Sequence, residues 1–485
     1  MARRHPPGPP NILAPFALTY RHLIQMWLRP LEFVTKLHRT YGSVAFFRVF
    51  GVRLYVVSSP ELIHEVLVKQ KNKFRKVERQ MRTIRQVVGK GILTSNGDFW
   101  LRQRRMLQKA FSPKKLEGYA EGMVDQTELL LDSWDARGEG AKVDITLEMM
   151  RLTLGIATRA FFGDQPRRRA EILARANKGI SEAFTREMLS IFRLPDWLPL
   201  PRKIEKRRAM QDYISEVKEL IREKRASNEE TDDLLSAVLH AVDDEGDGTG
   251  MTDEQALDEL LTIYIAGHHT TSVALSWTFY LLAKHPEIEK RVLAEVQQVI
   301  GQRRIRLSDL PQLKYTEMVI KESLRLYPPA YVLFAREALE DVNLGEHWIK
   351  KGGWIYMYPY VVHRDPQNYE NPETFDPERF SPERIDSIPQ NAYIPFGLGP
   401  HVCIGQRFAM IEFLLAVPTI LRRYSMQIEP GHEDARNLPL LANHIKGGLP
   451  VRLHSRVPSK MAPVAPTVDT SSASWTPETG QAETR

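Results

Sequence analysis

The fold of this chain is decided by the stretch Phe396-Gly397-Leu398-Gly399-Pro400-His401-Val402-Cys403-Ile404-Gly405, which contains the one cysteine of its 485 residues. The stretch joins an irregular segment, 363–402, to a helical pattern that runs from about residue 404 to residue 424. Its glycines permit backbone conformations and close approaches that a side chain would block. A cysteine at a helix start is favoured as a thiolate by the helix dipole and the free amides. Taken alone, the stretch fits a turn with a buried, inert cysteine better than a reactive site.

Upstream of this stretch the sequence is mainly helical by its period. Apolar residues recur at three- and four-residue spacing, which is typical of amphipathic helices. The segments with this spacing are 61–69, 99–111, 118–134, 147–162, 167–192, 204–225, 287–300 and 315–326. A β-hairpin is expected over 44–57, and residues 330–362 return to a strand-like composition. The pattern predicts a mainly α fold with small β-sheets.

One helix is predicted to be much longer than the others. Thr252 and Gln255 form a capping-box pattern, and the helical period then continues to Lys284, before His285-Pro286. At 1.5 Å per residue such a helix is about 48 Å long, enough to cross the molecule as a buried central column. Gly267 lies in its middle and costs about 1 kcal/mol relative to alanine. We expect a local bulge there that admits a small ligand.

Composition limits the classes of protein to which the chain can belong. A single cysteine excludes an internal disulfide, and no apolar run approaches the ~20 residues of a membrane span. The net charge is +7 and the pI about 9.2, but no zinc-finger spacing, RNP-like motif or repeat supports nucleic-acid binding. We expect a cytoplasmic protein with a proline-rich lead-in over 1–15, one catalytic domain over 16–456 and a disordered tail over 457–485.

The cysteine stretch resembles the haem-binding loop of the cytochrome P450 family. Phe396, Gly399, His401, Cys403 and Gly405 all stand at the positions of the family's motif. Further motifs follow in the family's order, and the resemblance covers roughly residues 30–450. It implies the cytochrome P450 fold, a single haem-binding catalytic domain, one haem b, and Cys403 as the axial ligand of the haem iron.

Two further motifs resemble structural and cofactor-binding elements of the family. Glu322 and Arg325, three apart in Glu322-Ser323-Leu324-Arg325, resemble a structural pair that Arg379 completes; a lone pair of this kind is usually a surface salt bridge. Trp100 and Arg104 are four residues apart and share one face of a helix. Taken alone, this pattern fits the basic face of an amphipathic helix. By resemblance these two residues, with Arg336 and His401, contact the haem propionates. Carboxylates in a poorly solvated site require cationic or hydrogen-bonding partners.

The centre of the long helix resembles the family's oxygen-binding segment. Thr270 matches a threonine whose hydroxyl helps to deliver protons, although a mid-helix threonine often only bonds a carbonyl one turn earlier. The family commonly has an acid before this threonine, and this chain has His269, as in some members such as bacterial sterol 14-demethylases. Histidine titrates near neutral pH and is able to relay protons. Thr270, His269 and Gly267 are therefore the predicted catalytic residues.

The resemblance implies a monooxygenase that inserts one atom of O2 into a small apolar substrate such as a fatty acid, a terpenoid or a sterol-like compound. The predicted substrate pocket is apolar and comprises Ile265, Ala266, Ala330, Val332, Leu333 and Phe334. Electrons come from a ferredoxin or a flavoprotein reductase. The predicted docking cations are Arg102, Arg105, Lys109, Arg422 and Arg423.

Two alternatives remain open at the level of the sequence. A peroxide-driven haem-thiolate enzyme would explain the missing acid before Thr270, although the retained threonine argues against it. A haem-binding sensor without turnover is the other, although nothing in the sequence resembles an output domain.

Overall fold

The fold was analysed in a computed structural model. It describes residues 5–9, 25–26, 28–49, 51–163, 200–227 and 230–456, together with residue 198 and part of the segment 169–180. The helix predicted over 167–192 lies largely outside the described residues. So do the predicted C-terminal tail and most of the predicted N-terminal lead-in.

The described chain is mainly helical, as the sequence predicts. Its helices are α1 (Pro30–Tyr41), α2 (Pro60–His64), α3 (Glu78–Val88), α4 (Gly97–Ala110), α5 (Pro113–Asp135), α6 (Ile145–Phe162), α7 (Pro201–Ser227), α8 (Leu234–Leu239), α9 (Asp253–Lys284), α10 (Pro286–Val299), α11 (Lys314–Leu326), α12 (Pro359–Val362) and α13 (Gln406–Arg423). A π-helical turn, Glu65–Lys69, continues α2 and was not predicted. The other predicted helices differ from these bounds by a few residues at their ends, where periodicity defines a boundary poorly.

The strands form small sheets at the sides of the helical core. They are β1 (Val44–Val49), β2 (Val52–Val57), β3 (Phe74–Lys76), β4 (Lys142–Asp144), β5 (Arg336–Ala338), β6 (Val342–Leu344), β7 (His347–Ile349), β8 (Trp354–Met357), β9 (Tyr424–Ile428), β10 (Asn437–Pro439), β11 (Asn443–Ile445) and β12 (Pro450–Ser455). The largest sheet has the order β1-β2-β8-β5-β3, in which only β2 and β8 are parallel. The hairpin β1-β2 confirms the prediction for 44–57. The remaining sheets are β4-β12-β9, β10-β11 and β6-β7.

Helix α9 is the predicted central column. It spans 32 residues and begins at the predicted capping box, in which the side chains of Thr252 and Gln255 each bond the other's backbone. Most of its side chains are buried, because α6, α11 and α13 all pack against it. Its middle is regular α-helix, so the bulge predicted at Gly267 is absent. The break comes at His285-Pro286, as proline chemistry requires.

A buried cluster of charges attaches the irregular segment 363–402 to α11. Arg325 donates to both carboxylate oxygens of Glu322, over 2.6 and 2.7 Å, and Arg379 donates to the same carboxylate over 3.2 Å. All three side chains are at most 5% exposed. The remaining donors of Arg325 bond the carbonyls of His363, Pro372 and Thr374. The three residues thus make the predicted contact, and they hold in place the chain that leads to the cysteine stretch.

Candidate active site

A large cavity lies between α9 and the cysteine stretch. Its volume is about 1330 Å³, whereas pockets for one small molecule commonly have ~300–1,000 Å³. Cys403 and Thr270 both line it, and so do all six residues predicted for the substrate pocket, Ile265, Ala266, Ala330, Val332, Leu333 and Phe334. A cavity of this size has room for a macrocyclic cofactor and a substrate together.

The cysteine stretch forms a tight loop on the floor of the cavity. The Cys403 amide donates to the carbonyl of Phe396 over 2.9 Å, and the Val402 amide donates to that of Gly399 over 3.0 Å. Gly399 has φ +73°, and a Cβ there would lie 2.7 Å from the Leu67 carbonyl oxygen. Only glycine fits this position. Helix α13 begins at Gln406 and not at about residue 404, as the pattern predicts. Cys403 therefore lies three residues before the helix and not directly at its start.

The surroundings of the Cys403 sulfur act on its charge in opposite directions. Burial raises the pKa of the thiol, whereas the Gly405 amide and the positive charge of Arg104 lower it. The exposed part of the side chain belongs to the cavity wall. Because burial is the largest effect, the protein alone favours the neutral thiol. A metal ion on the sulfur would deprotonate it, since a coordinating thiol loses its proton outright.

A group of cations without acidic partners lines the cavity near His401. Lys76, Arg104 and Arg336 donate only to backbone carbonyls among the described residues. Burial lowers the pKa of Arg336 to about 10. It lowers that of His401 to about 2, with Lys76, Arg336 and Arg104 acting in the same direction. Buried charges of one sign are costly unless a counter-charge binds. The cluster therefore fits a dianionic group such as the two propionates of haem.

Trp100 and the predicted propionate contacts come together in this cluster. The ring of Trp100 contacts that of His401, with 3.8 Å between centroids and 40° between the ring planes, and Arg104 donates to the carbonyl of Val402 over 3.0 Å. All four predicted residues, Trp100, Arg104, Arg336 and His401, line the cavity. Phe396 and Gly405 also line it, as part of the cysteine loop.

Lys76 belongs to this cluster but was not predicted from the sequence. It lies in β3 directly opposite Arg336 of β5 in the strand register. Like charges in directly opposed positions destabilise a sheet. Nothing in the local sequence 71–82, which is rich in charge, distinguishes Lys76 from its neighbours. The pairing of two strands about 260 residues apart in the chain creates the site.

The middle of α9 forms the cavity wall that carries Gly267 and Thr270. A Cβ at Gly267 would have no heavy atom within 4 Å, so its free space belongs to the cavity. The Thr270 hydroxyl donates to the Ala266 carbonyl over 2.9 Å. Its oxygen retains lone pairs that are able to accept a further hydrogen bond.

His269 does not lie where its predicted role requires. It is absent from the residues that line the cavity, and its ring contacts that of His444, with 4.8 Å between centroids. Burial lowers the pKa of His269 well below its usual value, and His444 and His268 lower it further. The side chain is therefore neutral. Adjacent residues on a helix point about 100° apart, so His269 faces His444 of β11 while Thr270 faces the cavity.

The cations predicted for donor docking are largely paired within the protein. Arg105 forms a 2.6 Å ion pair with Asp243, and Arg102 forms a 3.3 Å pair with Asp247. Lys109 pairs with Asp244, Arg423 with Asp132 and Asp135, and Arg422 donates to the carbonyls of Gly301 and Arg303. The acidic loop 243–247 thus neutralises the surface of α4. No helix in the described part of the chain combines the length and hydropathy that a bilayer span requires.

Comparison with known proteins shows similarity over most of the chain. The family model for Cytochrome P450 matches residues 6–449. A cyclooctat-9-en-7-ol 5-monooxygenase of Streptomyces melanosporofaciens is 33% identical over 84% of this chain and 88% of its own length. A pentalenene oxygenase of Streptomyces avermitilis is 31% identical over 90% and 96%. The crystal structure of the cytochrome P450DA heme domain superposes with a TM-score of 0.82, at 27% identity, over 95% of this chain and 100% of that one.

Proposed function

Because this chain belongs to the cytochrome P450 family and is a P450 monooxygenase, we propose that it holds haem b through Cys403 and oxygenates a terpenoid. The observation that carries the cofactor assignment is the position of Cys403 on the cavity floor beside Lys76, Arg104 and Arg336. A thiolate ligand and unpaired cations at one site match the two kinds of group on haem, its iron and its propionates.

The roles of the residues follow from their places around the cavity. Cys403 ligates the iron, and Trp100, Arg104, Arg336, His401 and Lys76 hold the propionates. When bound, the haem supplies the chemistry of oxygen activation, which a thiolate ligand favours by donating electron density. Gly267 leaves space above the cofactor, and the Thr270 hydroxyl offers a hydrogen-bonding oxygen there. His269 is not part of this proposal, because it lies outside the cavity.

The substrate proposal combines the cavity lining with the comparisons. The cavity has an apolar lining that includes Val332, Leu333, Phe334, Ile265 and Ala266. Such a lining both binds a hydrocarbon skeleton and excludes water. The relatives named above oxygenate cyclooctat-9-en-7-ol and pentalenene. Among the fatty-acid, terpenoid and sterol-like classes we therefore favour terpenoids.

The electron donor is proposed to be a separate acidic ferredoxin or a flavoprotein that docks near the cysteine loop. Lys71 and Arg407 are exposed and pair with no described carboxylate. Arg407 lies four residues after Cys403, and Lys71 follows the π-helical turn that packs against 399–401. Arg407→Glu should raise the ferredoxin concentration needed for half-maximal reduction at low salt, whereas Arg29→Glu, at the residue directly before α1, should not. An equal response of both variants would contradict this docking site.

The test of the main proposal is an absorption titration of the haem-loaded protein. We expect a thiolate-type Soret band that shifts from low to high spin with cyclic terpenoids and far less with fatty acids or sterols. Cys403→Ser should lose the thiolate band while keeping the cation cluster. A haem-loaded protein without that band would overturn the ligand assignment. A shift produced only by another class would overturn the substrate assignment and leave the ligand untouched.

A peroxide-driven enzyme and a sensor make different predictions in the same system. Product formed with peroxide but never with O2, ferredoxin and reductant would establish the first. Reductant consumption without product from any terpenoid, fatty acid or sterol would favour the second. The cavity-facing Thr270 favours the monooxygenase over both.

A further inference from the structure

Arg79 of α3 is a cation that lines the haem cavity but lies apart from the cation cluster near His401. Its side chain is exposed and also belongs to the cavity lining, so it stands where the cavity opens to solvent. It follows Lys76 by three residues, yet it is absent from the charged groups that act on Lys76 and on Cys403. The cavity therefore has a second polar region, away from its haem end.

The side of α3 that faces the cavity changes in character along the helix. The residues of α3 that line the cavity are Arg79, Gln80, Thr83, Ile84 and Val88. Their spacing fits one face of a helix, on which residues three and four apart are neighbours. Arg79 is exposed, Gln80 and Thr83 are half-buried, and Ile84 and Val88 are buried. This face is therefore polar at the mouth of the cavity and apolar farther in.

Arg79 has no acidic partner among the described residues. Glu78, its neighbour in the chain, pairs with Arg85 over 2.6 Å and with Arg82 over 3.9 Å. The one described carboxylate in the cavity lining is that of Glu412 of α13, which is buried and so does not lie at the mouth. Arg79 thus presents an uncompensated positive charge and its N–H donors at the entrance to the cavity.

Tyr356 of β8 adds a neutral donor to this region. The Gln80 amide donates to the hydroxyl oxygen of Tyr356 over 2.7 Å, and no described residue accepts the hydroxyl proton. Burial raises the pKa of Tyr356 to about 12, so the hydroxyl keeps its proton at neutral pH. Tyr356 and Gln80 both line the cavity. Because Gln80 is adjacent to Arg79, this hydrogen bond brings a guanidinium and a free O–H donor to the same part of the cavity.

We propose that Arg79 and Tyr356 bind the carboxylate of a terpenoid acid and so select acids within the terpenoid class. A guanidinium is able to donate two parallel hydrogen bonds to the two oxygens of a carboxylate, and such charge-assisted bonds are strong. One cation balances the single charge of one carboxylate. A phosphate ester carries about −1.5 to −2 at neutral pH, which would leave negative charge uncompensated beside an apolar lining. The inference rests on the proposed terpenoid function and adds the functional group that is recognised.

A carboxylate bound at Arg79 fixes the direction in which the substrate lies. Its hydrocarbon skeleton extends along Ile84 and Val88 towards α9, since the Thr262 hydroxyl of α9 donates to the Val88 carbonyl over 2.8 Å. Helix α9 carries Thr270, so we expect oxygen to enter at a carbon remote from the carboxyl group. A fatty acid would make the same contact with Arg79, but its flexible chain loses more conformational freedom on binding than a ring skeleton does.

An arginine that is only solvated predicts different behaviour, because its replacement would leave substrate binding unchanged. Arg79→Gln removes the charge and keeps a polar side chain. Arg79→Lys keeps the charge but loses the two-pronged geometry of the guanidinium. The matched control is Arg82→Gln, at an exposed arginine of the same helix that is not among the described residues of the cavity lining. Tyr356→Phe removes the proposed O–H donor.

The first measurement is a spin-state titration of the haem-loaded protein with matched acids and alcohols. The pairs are abietic acid with abietinol and perillic acid with perillyl alcohol, each of which shares one ring skeleton. The better-bound acid should bind about tenfold more tightly than its alcohol, the factor that one hydrogen bond to a charged group typically contributes. Arg79→Gln should lose this preference without a change in affinity for the alcohol, and Arg79→Lys should keep part of it. Arg82→Gln should behave as the wild type does.

Salt and product analysis give two further readouts that a structural role of Arg79 would not change. The preference for the acid should shrink as the ionic strength rises, because the mouth of the cavity is open to solvent. With O2, ferredoxin and reductant, the wild type should hydroxylate the acid mainly at one carbon remote from the carboxyl group. Arg79→Gln should give a mixture of positions, because the acid is then no longer held at one end.

Equal affinity of the wild type for acid and alcohol, or an equal loss for both in Arg79→Gln, overturns the proposal. A phosphate ester of perillyl alcohol that binds more tightly than perillic acid overturns the choice of a carboxylate. Should Arg79→Gln fail to load haem, Arg79→Lys and the comparison of acid with alcohol in the wild type decide the question. Alcohols that shift the spin state while acids do not overturn this inference alone. If no member of any pair shifts the spin state, the proposed terpenoid class fails, and this inference fails with it.

Discussion

The buried cluster on Glu322 allows the cost of one lost charge to be worked out from the structure. Arg325 is fully buried and makes five hydrogen bonds, two of them to the Glu322 carboxylate. In Arg325→Met, Glu322 would remain buried with Arg379 and the Asp376 amide as its described partners. Removal of one partner from a buried pair costs about 3–5 kcal/mol. Because whole domains are stable by only ~5–15 kcal/mol, this loss should be severe.

The assay is equilibrium unfolding in urea, followed by tryptophan fluorescence. With a slope of about 3 kcal/mol per molar, the midpoint should fall by roughly 1 M or more. The matched control is Arg29→Met, which breaks an ion pair of comparable spacing with Glu32 whose side chains are 71% and 70% exposed. Exposed pairs are worth at most ~1 kcal/mol.

Midpoints that fall equally in Arg325→Met and Arg29→Met would refute the reasoning. Burial, and not the bare presence of an Arg–Glu pair, is the claimed cause of the difference. The absorption spectrum adds a second readout, since the cluster holds the segment that leads to Cys403. Arg325→Met that does fold should load less haem than Arg29→Met.

Three other substitutions test two buried charges and the hydroxyl group on the cavity wall. Lys76→Met should weaken haem binding roughly 10–100-fold, because a hydrogen bond to a charged group is worth ~1.5–3 kcal/mol. Competition with apomyoglobin measures the haem affinity. An unchanged affinity would show that Lys76 does not bind the haem. Glu259 is a buried residue of α9 that accepts a hydrogen bond from the Ile92 amide. Burial raises its pKa to about 8, so the native wild-type protein binds an extra proton and loses stability as the pH rises from 5 to 8. Glu259→Gln should therefore gain stability relative to wild type across this window, and parallel stability curves would contradict the expectation. Thr270→Val should release more peroxide per electron pair, while the absorption spectrum of the variant stays unchanged. If the variant instead couples electron consumption to product formation as well as the wild type does, the hydrogen bond of Thr270 to the Ala266 carbonyl is its whole role.

Much of the fold was predictable because it depends on local signals. The capping box at Thr252, the break at Pro286 and the amphipathic spacing of α5 and α6 act within a few residues. The start of α13 was placed early because apolar periodicity extends into the cysteine loop, where backbone hydrogen bonds and not the pattern decide the conformation. The π-helical turn at 65–69 has no period of its own in so short a segment.

The site was predictable where a motif names it and unpredictable where tertiary contacts create it. Cys403 and the residues around it stand in one contiguous stretch. His269 was placed correctly along α9, but its orientation depends on β11, which packs beside it through His444. Lys76 and Glu412 enter the cavity only through β3 and α13, so no local pattern distinguishes them from other lysines and glutamates.

The cation cluster shows how the protein specifies the charge of its cofactor. Lys76 and Arg336 oppose each other in register, an arrangement that destabilises the sheet by itself. Both are buried, and their donors bond carbonyls, which do not cancel a net charge. Burial and Arg336 lower the pKa of Lys76 well below its usual value, so the folded chain carries an electrostatic cost that an anion at this position would reduce. On this view haem binding stabilises the fold through its propionates as well as through Cys403, so a haem analogue without propionates should bind far more weakly even though its iron still reaches the sulfur.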